Sequence, residues 1–250
     1  MQHGWKSLQL NLWNQRALNG GGTGIVPFRK LEFDFVAHWI HGLRVLDAGC
    51  GLGELMQYLR KYNPSLILLG FDFADEMVSL ACQSDLNVFR SDITNLKIEN
   101  GSVDTSIAIR TIKNILEVND QKLAVSELAR VTTKRIIIID SVKESMVTPP
   151  DYNLYLSRDW LITNFLQEGF RLIWEEYFKV PVIQIPIIAS SRRPIVGSDE
   201  GFFVFDREKD RRYGIARWRF FEIIESLVSM ARFAIRKIIK LAIKNHNVML

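Results

Sequence analysis

The run Val45-Leu46-Asp47-Ala48-Gly49-Cys50-Gly51-Leu52-Gly53 holds the residues best suited to chemistry. Three glycines in five positions let a backbone approach a ligand closely. Asp47 stands two residues before the first of them, and an anion there favours an ammonium or sulfonium over a pyrophosphate. Asp72 follows Gly53 by 19 residues. A carboxylate at that distance, at the end of a second strand, can accept hydrogen bonds from both hydroxyls of a ribose. Together these features indicate a nucleoside-containing cofactor. NAD competes for the site, but its fingerprint sets the third glycine one place later. No Gly-Lys-Ser/Thr follows a glycine cluster, which excludes a P-loop.

The elements that must position these residues alternate along the chain. Residues 28–41 read as a helix closed by Gly42, and 44–47 as a strand entering the glycine turn. A helix over 55–62 and a buried strand over 65–71 follow. Next come a helix at 75–82, a strand at 86–89, a strand at 103–109, a helix at 119–131 and the strand Arg135–Ile139. A helix from Arg158 to Glu168 ends at Gly169, and strands near 171–179 and 201–205 close the body. Such alternation predicts a parallel sheet with helices on both faces. Residues 1–27 read as irregular, with a flexible loop or lid at 20–24. Segments 148–156 and 181–199 read as surface loops.

The chain has 250 residues, 48% of them apolar, enough for a sizeable core without disulfides. Cys50 and Cys82 have neither a disulfide framework nor metal-ligand spacing, and both read as small fillers in a reduced, cytosolic setting. No signal peptide and no spanning helix are expected. The net charge of +4 is unevenly placed. Residues 206–250 hold 11 Lys or Arg against 5 Asp or Glu, and the rest hold 21 against 23.

Four ordered signals carry a resemblance over roughly residues 40–178. They are Val45 through Gly53; Leu68-Leu69-Gly70-Phe71-Asp72; Asp92 followed by Leu96 and Gly101-Ser102-Val103-Asp104; and Glu127-Leu128-Ala129-Arg130-Val131. The set resembles the class I S-adenosylmethionine-dependent methyltransferases, in particular the broad small-molecule group of type 11. One departure is Thr132-Thr133-Lys134, where the family commonly has Pro-Gly-Gly, and it alters a turn away from the cofactor. The resemblance implies a Rossmann-like, doubly wound, mostly parallel sheet of seven strands. It implies S-adenosyl-L-methionine as cofactor, with Gly49, Cys50, Gly51 and Gly53 along its methionine and ribose portions. It places Asp47 at the amino end, Asp72 on the ribose hydroxyls and Phe73 beside the adenine. Asp92 would accept from the adenine amino group with Ile93 next to it, and Arg110 would lie near the methionine end. The implied reaction is methyl transfer to a small-molecule or lipid-like acceptor. The alternatives are an NAD-dependent oxidoreductase and a non-catalytic membrane or assembly scaffold.

On the acceptor side the residues leave more open. No general base is marked. Lys113-Asn114-Ile115 is similar to the Arg-Asn-Val of quinone C-methyltransferases, and reads equally well as a helix-start turn. Trp13, Tyr152 and Tyr155 are candidates for an acceptor pocket or ordinary loop anchors. His38 and His41 read as structural. Residues 218–244 read as an amphipathic helix, with Arg219, Glu222, Glu225, Arg232, Arg236, Lys237, Lys240 and Lys244 within an arc of about 140°. Packing on the body or a homodimer is the favoured reading, an anionic membrane surface the second, and nucleic acid the least favoured. The expected layout is an N-terminal helical or lid segment (1–42), the cofactor-binding domain (43–206) and the basic helix (207–250). The expected location is the cytoplasm, with the inner membrane face as a peripheral site.

Overall fold

The computed structural model describes residues 4–20, 26–143, 154–178, 190–191 and 199–208. The basic helix expected over 207–250 lies outside them beyond residue 208, as do Tyr152 and most of the two loops. The helices are α1 (Gly4–Leu18), α2 (Val26–Trp39), α3 (Glu54–Tyr62), α4 (Asp75–Cys82), α5 (Val118–Val131) and α6 (Arg158–Gln167). The strands are β1 (Arg44–Ala48), β2 (Ile67–Asp72), β3 (Val88–Arg90), β4 (Val103–Ile109), β5 (Thr132–Lys143), β6 (Leu156–Ser157), β7 (Phe170–Phe178), β8 (Ser190–Ser191) and β9 (Asp199–Arg207).

Among the described residues the strands form one sheet in the order β3-β2-β1-β4-β5-β9-β7-β8, with β6 beside β5. Strands β1 to β5 run parallel, while β9 is antiparallel to both β5 and β7. The chain leaves β1 outward to β2 and β3, then returns to β4 on the other side. This reversal opens a crevice beyond the carboxyl ends of β1 and β4, the place where such sheets bind ligands.

The central strands are apolar without alternation because both faces are covered. Ile136 to Ile139 in β5 are fully buried, and so are Ile107 in β4 and Leu128 in α5. In β9, Phe203 and Phe205 join the same core. The Thr132-Thr133-Lys134 departure has a simple form: α5 ends at Val131 and β5 starts at Thr132 with no turn between them.

Three expectations need correction. Residues 4–18 are helical, not irregular. Trp5, Gln9, Leu12, Trp13 and Arg16 recur at helical spacing, a pattern hidden by the glycine-rich stretch behind it. Among the described residues the sheet has nine strands, not seven, because the two-residue strands β6 and β8 add to the seven longer ones. Cys82 is exposed rather than a core filler, since α4 ends there.

One ion pair crosses the parallel and antiparallel halves of the sheet. Arg135 is 2% exposed and bonds Asp206 bidentately at 2.6 and 2.7 Å. Its Nη1 also donates to the Trp39 carbonyl at 3.0 Å. Removing one partner of a buried pair leaves an uncompensated charge. Asp206→Ala is therefore expected to lower stability by about 3–5 kcal/mol in urea unfolding. The double change Arg135→Met with Asp206→Leu is expected to cost clearly less.

Candidate functional site

The loop between β1 and α3 is fastened to the end of β2. Both Gly49 N–H and Cys50 N–H donate to the Phe71 carbonyl at 2.9 Å. Gly49 has φ 71°, and a Cβ there would sit 2.7 Å from Thr111 Oγ1 and Cγ2. Neither the backbone conformation nor the space accepts a side chain. Gly51 N–H donates to Asp72 Oδ2 at 2.8 Å, and Ala74 N–H donates to Asp72 Oδ1 at 2.9 Å. Burial pushes the Asp72 carboxyl up, against the pull of these N–H groups. Each oxygen keeps a further lone pair for a ligand hydroxyl.

Asp47 is the last residue but one of β1, beside this loop, and is 4% exposed. Its Oδ2 has no hydrogen-bond partner among the described residues. Burial, with Asp72 nearby, pushes its carboxyl up to about 7. A buried carboxylate oxygen without a partner is costly, and a cation brought to it would lower that cost. Cys50 contributes its backbone. Burial and the two carboxylates raise its thiol far above the ordinary value, which removes it as a nucleophile.

These residues line one cavity of about 530 Å³. The carboxyl ends of β3, β2, β1 and β4 present Asp92, Asp72, Asp47 and Arg110 to it in that spatial order. Phe73, Ile93, Gly49, Cys50 and Gly51 line it too, and Gly53 begins α3 just behind it at φ 75°. Helix α1 adds Trp5, Gln9, Leu12, Trp13 and Arg16, with the Arg16 guanidinium 4.8 Å over the Trp13 ring. Tyr155 lies outside the cavity lining, beneath the Lys143 ammonium at 4.5 Å.

Two expected residues are more committed than the sequence suggests. Asp92 Oδ1 accepts from Thr94 N–H at 2.9 Å and Thr94 hydroxyl at 2.8 Å, and Oδ2 accepts from Lys6 Nζ at 2.7 Å. Burial alone would raise this carboxyl, but Lys6 and Thr94 hold it below the ordinary range. Arg110 adopts φ 52°, rare for a residue with a side chain. Its guanidinium donates to Glu32 Oε2 and to Glu200 Oε1, each at 2.9 Å. Burial would lower its pKa, but the two carboxylates hold it above its ordinary value. It lines the cavity with those donors already engaged.

Several site residues were not signalled as such. Lys6 on α1 straps that helix to Asp92, and Trp5 Nε1 adds a bond to Asp120 Oδ2 at 3.1 Å. Arg29 and Phe33 on α2 line the cavity, with Arg29 paired to Glu54. Lys113, by contrast, belongs to the Lys113-Asn114-Ile115 run noted in the sequence, and lines the cavity from the 3-10 turn after β4, backed by Asp140 and Ser141. The spacing of 5, 9, 12, 13 and 16 could have revealed the face of α1. Nothing local marks Glu32 or Glu200.

Comparison with known proteins agrees with this geometry. Residues 45–135 match the methyltransferase domain model. The chain is similar to a tRNA (carboxymethyluridine(34)-5-O)-methyltransferase of Arabidopsis thaliana, 30% identical over 90 residues. That stretch is 36% of this chain and 21% of the relative, so the chain spans about a fifth of the relative's length. The sequence-based placing of nucleic acid as the least favoured partner gains no support from this match. The fold is similar to that of magnesium protoporphyrin IX methyltransferase from Synechocystis PCC 6803, solved with bound S-adenosylhomocysteine. The TM-score is 0.60 at 18% identity, covering 81% of this chain and 99% of that one. A second likeness is to the complex of the Haloferax volcanii Trm112 methyltransferase activator with a putative methyltransferase, with TM-score 0.58, 16% identity and coverage of 78% and 97%. No helix among the described residues is long and apolar enough to cross a membrane. Residues 45–135 thus match a methyltransferase domain, and the ordered motifs and the sheet order agree with the Rossmann-like fold of the class I S-adenosylmethionine-dependent methyltransferases.

Proposed function

We propose that the cavity binds S-adenosylmethionine and that the protein transfers its methyl group to a small-molecule acceptor. The observation that carries this reading is the buried Asp47 Oδ2 without a partner, beside a glycine loop that leaves backbone exposed to the cavity. An α-ammonium supplies the missing donors. Asp72 has lone pairs for ribose hydroxyls, and Phe73 and Ile93 offer apolar surface to a purine. Asp92 accepts from an amino group only by sharing oxygens already bonded to Lys6 and Thr94. When bound, the cofactor supplies a methyl group activated by a sulfonium. The protein's share is to hold the reactants aligned and exclude water. The cavity volume lies in the range of small-ligand pockets, which supports a small acceptor. A tRNA acceptor is the second reading, favoured by the name of the Arabidopsis relative.

The Asp47 carboxyl titrates near 7 in the folded state and near 4 when unfolded, so the folded state holds the proton over that interval. Stability therefore falls as pH rises from about 4 to about 7 and levels off above. Asp47→Asn removes the Asp47 share of this slope. At pH 8 it is expected to be more stable than the wild type by about 2–4 kcal/mol in urea unfolding. Yet its affinity for S-adenosylhomocysteine by calorimetry is expected to fall at least tenfold. Wild-type protein that gives no heat with S-adenosylhomocysteine would sink the cofactor reading.

A second measurement separates the acceptors. Protein is incubated with methyl-tritiated S-adenosylmethionine and either bulk tRNA or a small-molecule extract. Label in the solvent-soluble fraction is the expected result. Label confined to acid-precipitable tRNA would replace the small-molecule reading with the second one.

A further inference from the structure

From the geometry around Lys113 we infer that the acceptor presents an ionised oxygen, as a carboxylate or enolate does, and that Lys113 holds it. This rests on the proposed methyl transfer at the same cavity and names the class of its acceptor. Lys113 follows β4, so it faces the cavity from the β4–β5 side, across β1 from Asp72 and Asp92. Its side chain is only 12% exposed. Burying an ammonium to that degree is costly unless its donors are used.

The hydrogen bonds behind it fix its role. Ser141 hydroxyl donates its single proton to Glu200 Oε2 at 3.0 Å. It therefore accepts from Lys113 Nζ, at 2.7 Å. Glu200 is itself held by Arg110, and Arg110 by Glu32. This chain pins the ammonium at one position while using one of its three donors. Asp140 Oδ1 lies 3.9 Å away, beyond hydrogen-bond reach. Nζ thus keeps two donors without a partner among the described residues, and Lys113 lines the cavity, so they are available to a ligand there; a point cation suits an oxyanion.

Asp140 is a poor candidate for a general base. It is fully buried, and its oxygens accept from Lys113 N–H at 3.1 Å and Ser141 N–H at 2.9 Å. An acceptor that arrives ionised needs none. Its oxygen lone pair forms the O–CH₃ bond as the C–S bond breaks, and the bonding pair stays on sulfur. The sulfonium becomes a neutral thioether, the oxyanion becomes a neutral ester or ether, and no proton moves. The Lys113 cation stabilises the anion before transfer more than during it, so its contribution falls on binding and orientation.

The test uses the full chain saturated with S-adenosylhomocysteine, titrated with benzoate and with its uncharged isostere benzamide. Benzoate is expected to bind at least tenfold more tightly than benzamide. Lys113→Met is expected to erase that preference, and Lys113→Arg to keep most of it, with S-adenosylhomocysteine affinity unchanged in both. Equal affinity for the two probes, no binding of benzoate, or a preference that survives Lys113→Met would each overturn the inference while leaving the cofactor reading intact. Loss of S-adenosylhomocysteine binding in the wild type would instead remove the reading on which it stands.

Discussion

The carbonyl of Phe71 accepts two backbone N–H bonds, from Gly49 and Cys50, and the site depends on that junction. Parallel pairing brings it about: Ala48 of β1 lies in register with Phe71 of β2, so the turn leaving β1 meets the last residues of its neighbour. Asp72, one residue on, takes the next N–H of the same loop through its side chain. Strand pairing thus shapes the glycine turn, and the turn sets where α3 begins. Close approach reinforces it from the other side. A Cβ on Gly70 would lie 2.5 Å from Met56 Sδ and 3.2 Å from both Cys50 Sγ and Val88 Cγ2, so a side chain there would force those three to give way. A change in this register would displace Asp72, the loop and α3 together.

Along the strand ends the electrostatics divide in two. On the β2–β1 side, Asp72 and Asp47 are desolvated carboxylates, with Asp72 close enough to raise the proton affinity of Asp47, and no cation answers them among the described residues. This arrangement is unstable by itself and favourable only with a cationic ligand. On the β4–β5 side, the cations Arg110 and Lys113 are each matched by buried anions: Glu32 and Glu200 for one, Asp140 for the other. That half is balanced in charge before any ligand arrives, although Lys113 spends only one of its three donors on the described residues. The first half therefore acts through unmet demand, and the second through a fixed position.

This division also explains what was legible in the sequence. Asp47, the glycines and Asp72 act through neighbours close in the chain or paired in adjacent strands, so their order along the sequence carries their geometry. Asp92 was found by the same logic, but its partner Lys6 lies 86 residues away on a helix whose apolar pattern is weak. Glu32 and Glu200 stand 78 and 90 residues from Arg110. Only the folded sheet, which inserts β9 next to β5, brings them to one guanidinium. The core of β5 was legible because four isoleucines in a row admit no exposed face. The two-residue strands β6 and β8 were not, since pairs that short have no period.

The two ends of the cavity are consequently built to different degrees of independence. The cofactor end is held by main-chain bonds within one β-α-β unit, and few side chains there can change without loss of the turn. The acceptor end hangs on side-chain bonds linking α2, the turn after β4, β5 and β9, through Glu32, Arg110, Glu200, Ser141 and Lys113. Exchanging one member there repositions a charge at the cavity wall proposed to meet the acceptor, while the Gly49–Asp72 junction stays in place. Substrate preference can then shift on this fold without redesign of the methyl donor's site. The side chains that decide it are those whose contacts span the longest stretches of chain.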